Sequence, residues 1–347
     1  MLVYWLLFSL AALAVLLERQ VPIKHAGLLT GLVWVLLSAA IGFRYEVGGD
    51  WLNYGGNLYA LIGLPLSAAL LLGDPGYQFL SWASLSLGWD IYGVNAACGM
   101  IFSLGLVAFC RAQPRFWLAL TISIPYLVIV VAMGYTRQGV AIGLSMLAFN
   151  CVARGQIYRA LLWVAAAALF HKTAIILLPL VFVAGSKHGL IAVVLSVGLF
   201  ACLYVFLLRD STDDLYRGYI EASYQSDGAL IRVVMNGIPA AIFVLMRRRF
   251  RLSDAEDKLW GLLAWTSLAT LFILPVSPSS TAIDRIALYE IPLQLFIFCR
   301  IPSLASRKEL NLPISLGVVL YYAAVEFAWL NYATNASSWL PYQSILL

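Results

Sequence analysis

Five residues in this sequence have the types and spacing to handle a strongly anionic group. Arg44, Arg137, Lys172 and Arg285 each fall at the end of an apolar segment, and His171 stands beside Lys172. A guanidinium carries a planar fork of paired donors and stays charged when partly desolvated, so several together suit a diphosphate. Where negative charge grows on a departing diphosphate, preorganised cations lower the barrier without a metal. His171, with an ordinary pKa of about 6.5, suits a general base that takes a proton from an attacking hydroxyl.

Other polar residues are weighed against this set. Asp50, in GFRYEVGGDWLNY, is a second candidate base or a partner that orients Arg44, and both roles stay open. Asp284 reads as a local pair with its neighbour Arg285, and Glu290 and Glu326 fall inside apolar runs. Tyr45, Trp51, Tyr54, Tyr135, Tyr289, Trp339 and Tyr342 flank segment ends as an interfacial aromatic belt. A few can stack on sugar rings, though the residues alone do not single out which; Tyr45 is included in the candidate binding set. Taken singly, each arginine also reads as a snorkelling anchor and the histidine as a structural hydrogen-bonded group; their joint placement favours a site. Arg209 and Arg217 share a stretch with Asp210, Asp213, Asp214 and Glu221 and read as a solvated loop. Asp213-Asp214 is not a DxD metal motif, and His25, His171 and His188 are too dispersed for a metal site, so neither metal nor cofactor is expected. The five cysteines show no CxxC spacing and read as packing residues.

The elements that position these groups must sit in hydrocarbon. The 347 residues are 62% hydrophobic and only 11% charged, against about 25% charged in a soluble domain. Apolar runs recur near 2–17, 26–43, 91–110, 116–133, 138–153, 190–208, 229–246, 259–276, 285–299 and 311–330. The first lacks a basic start and a cleavage site, so it reads as a retained helix rather than a signal peptide. The expected fold is an all-α polytopic membrane protein, one integral domain over 1–347 with about 10–12 transmembrane helices. The net charge of +5 reflects basic cytoplasmic loops rather than nucleic-acid binding. A single helix over 159–187 would bury His171 and Lys172 in the bilayer and put Arg247-Arg248-Arg249-Phe250-Arg251 outside. A short re-entrant hairpin, 160–170 and 173–184, avoids both. Fifteen of the 22 basic residues then face the cytoplasm, and the other seven include the four at segment ends. Segment 58–87 is broken by Gly63, Pro65 and Gly73-Asp74-Pro75-Gly76 and reads as re-entrant or interfacial helices; 209–228 reads as an external loop.

Four stretches together resemble the EpsG-like and Wzy-type bacterial polysaccharide polymerases. GFRYEVGGDWLNY is similar to the family's first external motif, GYTRQGVAIGLSM to its Arg-Gln helix start, ALFHKTAIILLPL to its Phe-His hairpin and DRIALYEIPLQL to its late Arg and Tyr helix. Gly49 stands where the pattern more often carries Thr. The resemblance implies a GT-C-like glycosyltransferase of the bacterial inner membrane, joining undecaprenyl-diphosphate-linked repeat units on its periplasmic or external face into O-antigen, capsule or exopolysaccharide. It implies that Arg44, Asp50, Arg137, Gln138, His171, Arg285 and Tyr289 belong to the site. The implied partners are lipid-linked glycan donor and acceptor, the bilayer and a chain-length regulator. An O-antigen ligase or a polyprenyl-phosphate-sugar transferase would share much of this chemistry. A lipid-linked oligosaccharide flippase would instead need charges lining a path on both sides.

Overall fold

The computed structural model describes residues 1–17, 27–186, 194, 198, 226, 228–305 and 308–346. Most of the run expected at 190–208 and nearly all of the loop expected at 209–228 lie outside the described residues, as does Cys202. Among the described residues there are helices and no strands, with one isolated bridge between Arg44 and Ser344. The helices are α1 (Leu2–Leu17), α2 (Gly27–Gly42), α3 (Trp51–Tyr59), α4 (Leu66–Ala69), α5 (Pro75–Ser86), α6 (Asp90–Arg111) and α7 (Phe116–Ser123). A π-helix, Ile124–Ala132, continues α7. Then come α8 (Thr136–Ala153), α9 (Ile157–Phe170), a 3-10 turn (Lys172–Ile176), α10 (Leu177–Gly185), α11 (Ala229–Met246), α12 (Asp254–Ile273), α13 (Ser280–Phe298), α14 (Ile301–Leu304) and α15 (Asn311–Tyr332).

Four helices are long and apolar enough to cross a membrane: Asp90–Arg111, Ala229–Phe250, Asp254–Val276 and Asn311–Tyr332. At 1.5 Å per residue, 22 residues reach about 33 Å, the thickness of the hydrocarbon core. Apolar runs at α1, α2 and 116–132 also form helices, of 16 or 17 residues. The α7–π unit, α8 and α13 are buried along most of their length and form the centre of the bundle, whereas α1 and α15 expose leucines around its outside. Where α6 crosses α8, Gly105 and Gly143 let the backbones touch: a Cβ on Gly105 would lie 2.0 Å from the Gly143 carbonyl oxygen. Deeper in the bundle, Asn236 on α11 donates to the Ala287 carbonyl and to Glu290, Gln294 on α13 donates to Asn236 Oδ1, and Tyr322 on α15 donates to Gln294 Oε1. Interhelical bonds of this kind replace the hydrophobic effect as glue where the solvent is itself apolar.

Two features shape the turns after α2 and α9. Between Phe170 and Lys172 the helix stops at His171, whose backbone is extended, and α10 then packs back on α9 so that Gly185 lies against the Ile157 side chain. The last residues form a clasp across the loop after α2. The Tyr45 and Gly48 amides donate to the Gln343 and Ser338 carbonyls, and the Ile345 amide to the Phe43 carbonyl. Trp339, fully buried, donates to the Ile129 carbonyl on the π-helix, and Tyr4 on α1 donates to the Trp339 carbonyl.

Candidate active site

Asp74 is the hub of the site, and the local sequence explains its position. Pro75 opens α5 at the first helical position, where its missing N–H costs nothing. Gly76 has no side chain, so this turn can press on the end of α9; a Cβ there would lie 3.1 Å from the Leu169 carbonyl oxygen. Asp74 occupies the N-cap position of α5 yet makes no capping bond. Its carboxylate turns instead to other elements. Oδ1 accepts the Lys172 backbone N–H at 3.1 Å; Oδ2 accepts from Arg137 Nη1 at 3.0 Å and lies 3.9 Å from His171 Nδ1.

Arg137, at the start of α8, lies over the Tyr54 and Tyr77 rings, and its side chain keeps 38% exposure. Arg285, in the second turn of α13 rather than at the segment end the sequence suggests, lies 4.6 Å above the Tyr135 ring. Gln138 locks the start of α8 to this turn: its Nε2 donates to the Arg285 carbonyl and its Oε1 accepts from Arg285 Nη1. Tyr289, one turn along α13 and buried, shares a hydrogen bond of 3.2 Å with Thr173 in the 3-10 turn. Thus α5, α8, the α9–α10 turn and α13 meet at one place.

Burial alone would raise the Asp74 pKa, but His171, Arg137 and the Lys172 amide outweigh it and hold the carboxyl below its ordinary value. Burial pushes the His171 pKa below its ordinary value; Asp74 opposes this, and Arg137 and Arg285 add to it. At neutral pH the pair is therefore a carboxylate beside a neutral imidazole. His171 Nε2 is buried and has no hydrogen-bond partner among the described residues.

Arg44 differs. It is 1% exposed, and its guanidinium donates to the Ile41 and Val47 carbonyls, Asn95 Oδ1 and Thr136 Oγ1. It thereby ties the clasped loop to α6 and to the residue before Arg137, with Trp51 at 5.8 Å. Asp50 sits at the N-cap of α3 without a capping bond, half-buried. Tyr45 is exposed and packs edge-on against Trp51.

From α2 through the clasp, these elements match one family continuously, over residues 28–344. The chain belongs to the EpsG family. With four helices able to cross a bilayer, this EpsG-family protein is a membrane protein of the polysaccharide-polymerase type. No curated protein and no solved structure matches it.

The structure of this EpsG protein corrects one expected pair. Asp284 pairs not with Arg285 but with buried Arg232 on α11, which also reaches Tyr126 on the π-helix, while Ser226 donates to Asp284. Adjacent residues on a helix point about 100° apart, so Asp284 and Arg285 face different neighbours. Sequence reasoning also missed Asp74, taking Gly73-Asp74-Pro75-Gly76 as punctuation between helices. The available signal was a carboxylate in a turn on the same face as four unexplained cations. Among the described residues no three His, Cys, Asp or Glu side chains gather as a metal site.

Proposed function

We propose that this protein polymerises undecaprenyl-diphosphate-linked repeat units on the external face of the bacterial inner membrane, with 157–185 acting as a re-entrant hairpin in a GT-C-like single domain. The observation that carries the reading is the meeting of Arg137, His171 and the Lys172 amide at Asp74, with Arg285 tied to the neighbouring Gln138, in a family of polysaccharide polymerases. Cations hold the diphosphate of the growing chain, and the incoming unit presents its terminal hydroxyl. The hydroxyl oxygen bonds to the anomeric carbon as the carbon–oxygen bond to diphosphate breaks. The electron pair leaves on undecaprenyl diphosphate, and the hydroxyl proton passes to His171 Nε2 and then to water. Arg137, Arg285 and Lys172 meet the growing phosphate charge, Gln138 and Tyr289 hold α8 and α13 in place, and Tyr45 offers a ring for sugar stacking. Arg44 serves the site by fixing the loop.

The test is purified protein in lipid nanodiscs, mixed with an authentic lipid-linked repeat unit and no nucleotide sugar. A ladder of longer glycans is expected, and its absence sinks the polymerase reading; transfer only onto a lipid A core acceptor would make the protein a ligase. A second reading has Asp50 as the base, because its carboxylate makes no capping bond. It wins if Asp50→Asn abolishes the ladder while His171→Ala preserves it.

A further inference from the structure

We infer that Asp74 is the positioning residue of His171, fixing the imidazole as the Nδ1–H tautomer so that Nε2 is the proton acceptor. This rests on the polymerase reading for its chemistry but on the geometry of the turn for its substance. The Asp74 carboxylate cannot rotate freely, because the Lys172 N–H holds Oδ1 and Arg137 holds Oδ2. Oδ2 therefore faces His171 Nδ1, at 3.9 Å. That distance is beyond hydrogen-bond range; catalytic pairs are often long before substrate binds, and here the bond forms when the site closes. A carboxylate accepts only, so the facing nitrogen must be the one that carries hydrogen. The opposite nitrogen, Nε2, then keeps its lone pair, and it is the buried one without a partner among the described residues. Three helix ends and one turn are built to bring this about: Gly76 lets α5 reach α9, Pro75 sets the turn, and the extended backbone of His171 presents both its ring and the Lys172 amide to one carboxylate.

The arrangement also serves charge. Arg137 and Arg285 alone would oppose any positive charge on His171, so the imidazolium formed when a hydroxyl loses its proton would be destabilised. The Asp74 carboxylate compensates at the moment of transfer. It touches neither substrate nor diphosphate and acts only through the ring.

Asp74→Ala is the sharp probe of the tautomer. Both Asp74 oxygens accept, from the Lys172 N–H and from Arg137, so an asparagine amide would set its NH2 against one of these donors. Alanine removes the acceptor that faces Nδ1, and nothing then holds the hydrogen of His171 there rather than on Nε2. The experiment is 15N-histidine NMR of full-length protein in nanodiscs; with three histidines in the chain, the His171 signal is assigned from His171→Gln. Wild type should show the Nδ1–H form and Asp74→Ala the Nε2–H form. An Nε2–H wild type, or a tautomer unmoved by the substitution, overturns the inference whatever the activity. In the ladder assay, Asp74→Asn should lower kcat about 100-fold with KM changed little, and move the acidic limb of the pH profile to lower pH because His171 loses the group that raises its pKa. Asp74→Glu should restore part of kcat and return the limb toward its wild-type position. Full kcat with an unmoved limb in Asp74→Asn overturns the positioning role, whereas a wild type that makes no ladder overturns only the polymerase reading, the tautomer still deciding the inference.

Discussion

Arg44 and Arg285 mark two regions of the molecule that look alike in sequence and differ in chemistry. Around Arg44 every polar partner comes from the protein: two carbonyls, Asn95 and Thr136, sealed beneath the C-terminal clasp. Around Arg285 the guanidinium reaches, among the described residues, one side-chain acceptor, Gln138, and stacks on Tyr135 while still partly exposed. A buried cation with its donors satisfied is a bolt; one with donors left over is a hand held out to an anion. The lesson is that a basic residue at a helix end declares its role through its acceptors rather than its position.

Substitutions can break or sharpen this contrast. The largest effect is expected at the sealed side. Arg44→Ala leaves four acceptors without their donor and should remove about 3–5 kcal/mol of stability, seen as a lower yield of monodisperse protein and a lower Tm; a wild-type melt would erase the distinction. Next, Arg285→Ala should leave the melt within a few degrees of wild type while slowing ladder formation about 100–1,000-fold. A coupled loss of fold there would make the two arginines the same kind of residue. A smaller change is expected from Trp339→Phe, which keeps the ring but removes its bond to the Ile129 carbonyl, costing about 1 kcal/mol; thermal unfolding in nanodiscs reads it. The smallest belongs to Glu290→Gln, an isosteric change inside the closed α11–α13–α15 network, expected to shift stability by less than about 1 kcal/mol and to leave the ladder intact.

Much of this was legible in the sequence, for identifiable reasons. Long apolar runs become helices because a bilayer leaves the backbone few other ways to satisfy itself, which is why 91–110, 229–246 and 311–330 translate directly into α6, α11 and α15. Arg137, His171, Lys172 and Arg285 could be named because polar groups are scarce and each needs a reason, whereas Gln138 came only from the family resemblance. What was not legible depends on three-dimensional neighbours. Asp74 lies between helices that say nothing of His171, 97 positions away, and its Asp-Pro-Gly setting is what an ordinary helix start looks like. Whether Arg44 is sealed turns on Asn95 and Thr136, 51 and 92 positions distant, and Asp284 chose a partner 52 positions away over its neighbour.

The clasp has a consequence in time. Ser344 bonds the Phe43 carbonyl across 301 positions, so the loop that carries Arg44 cannot be closed when it first emerges. At about 5–20 residues per second of synthesis, its closing partners follow about 15–60 s later. During that interval the helices can insert while the loop that carries Arg44 stays open. Its closure is thus a late event in the life of each molecule, and an interrupted chain would occupy the membrane without it.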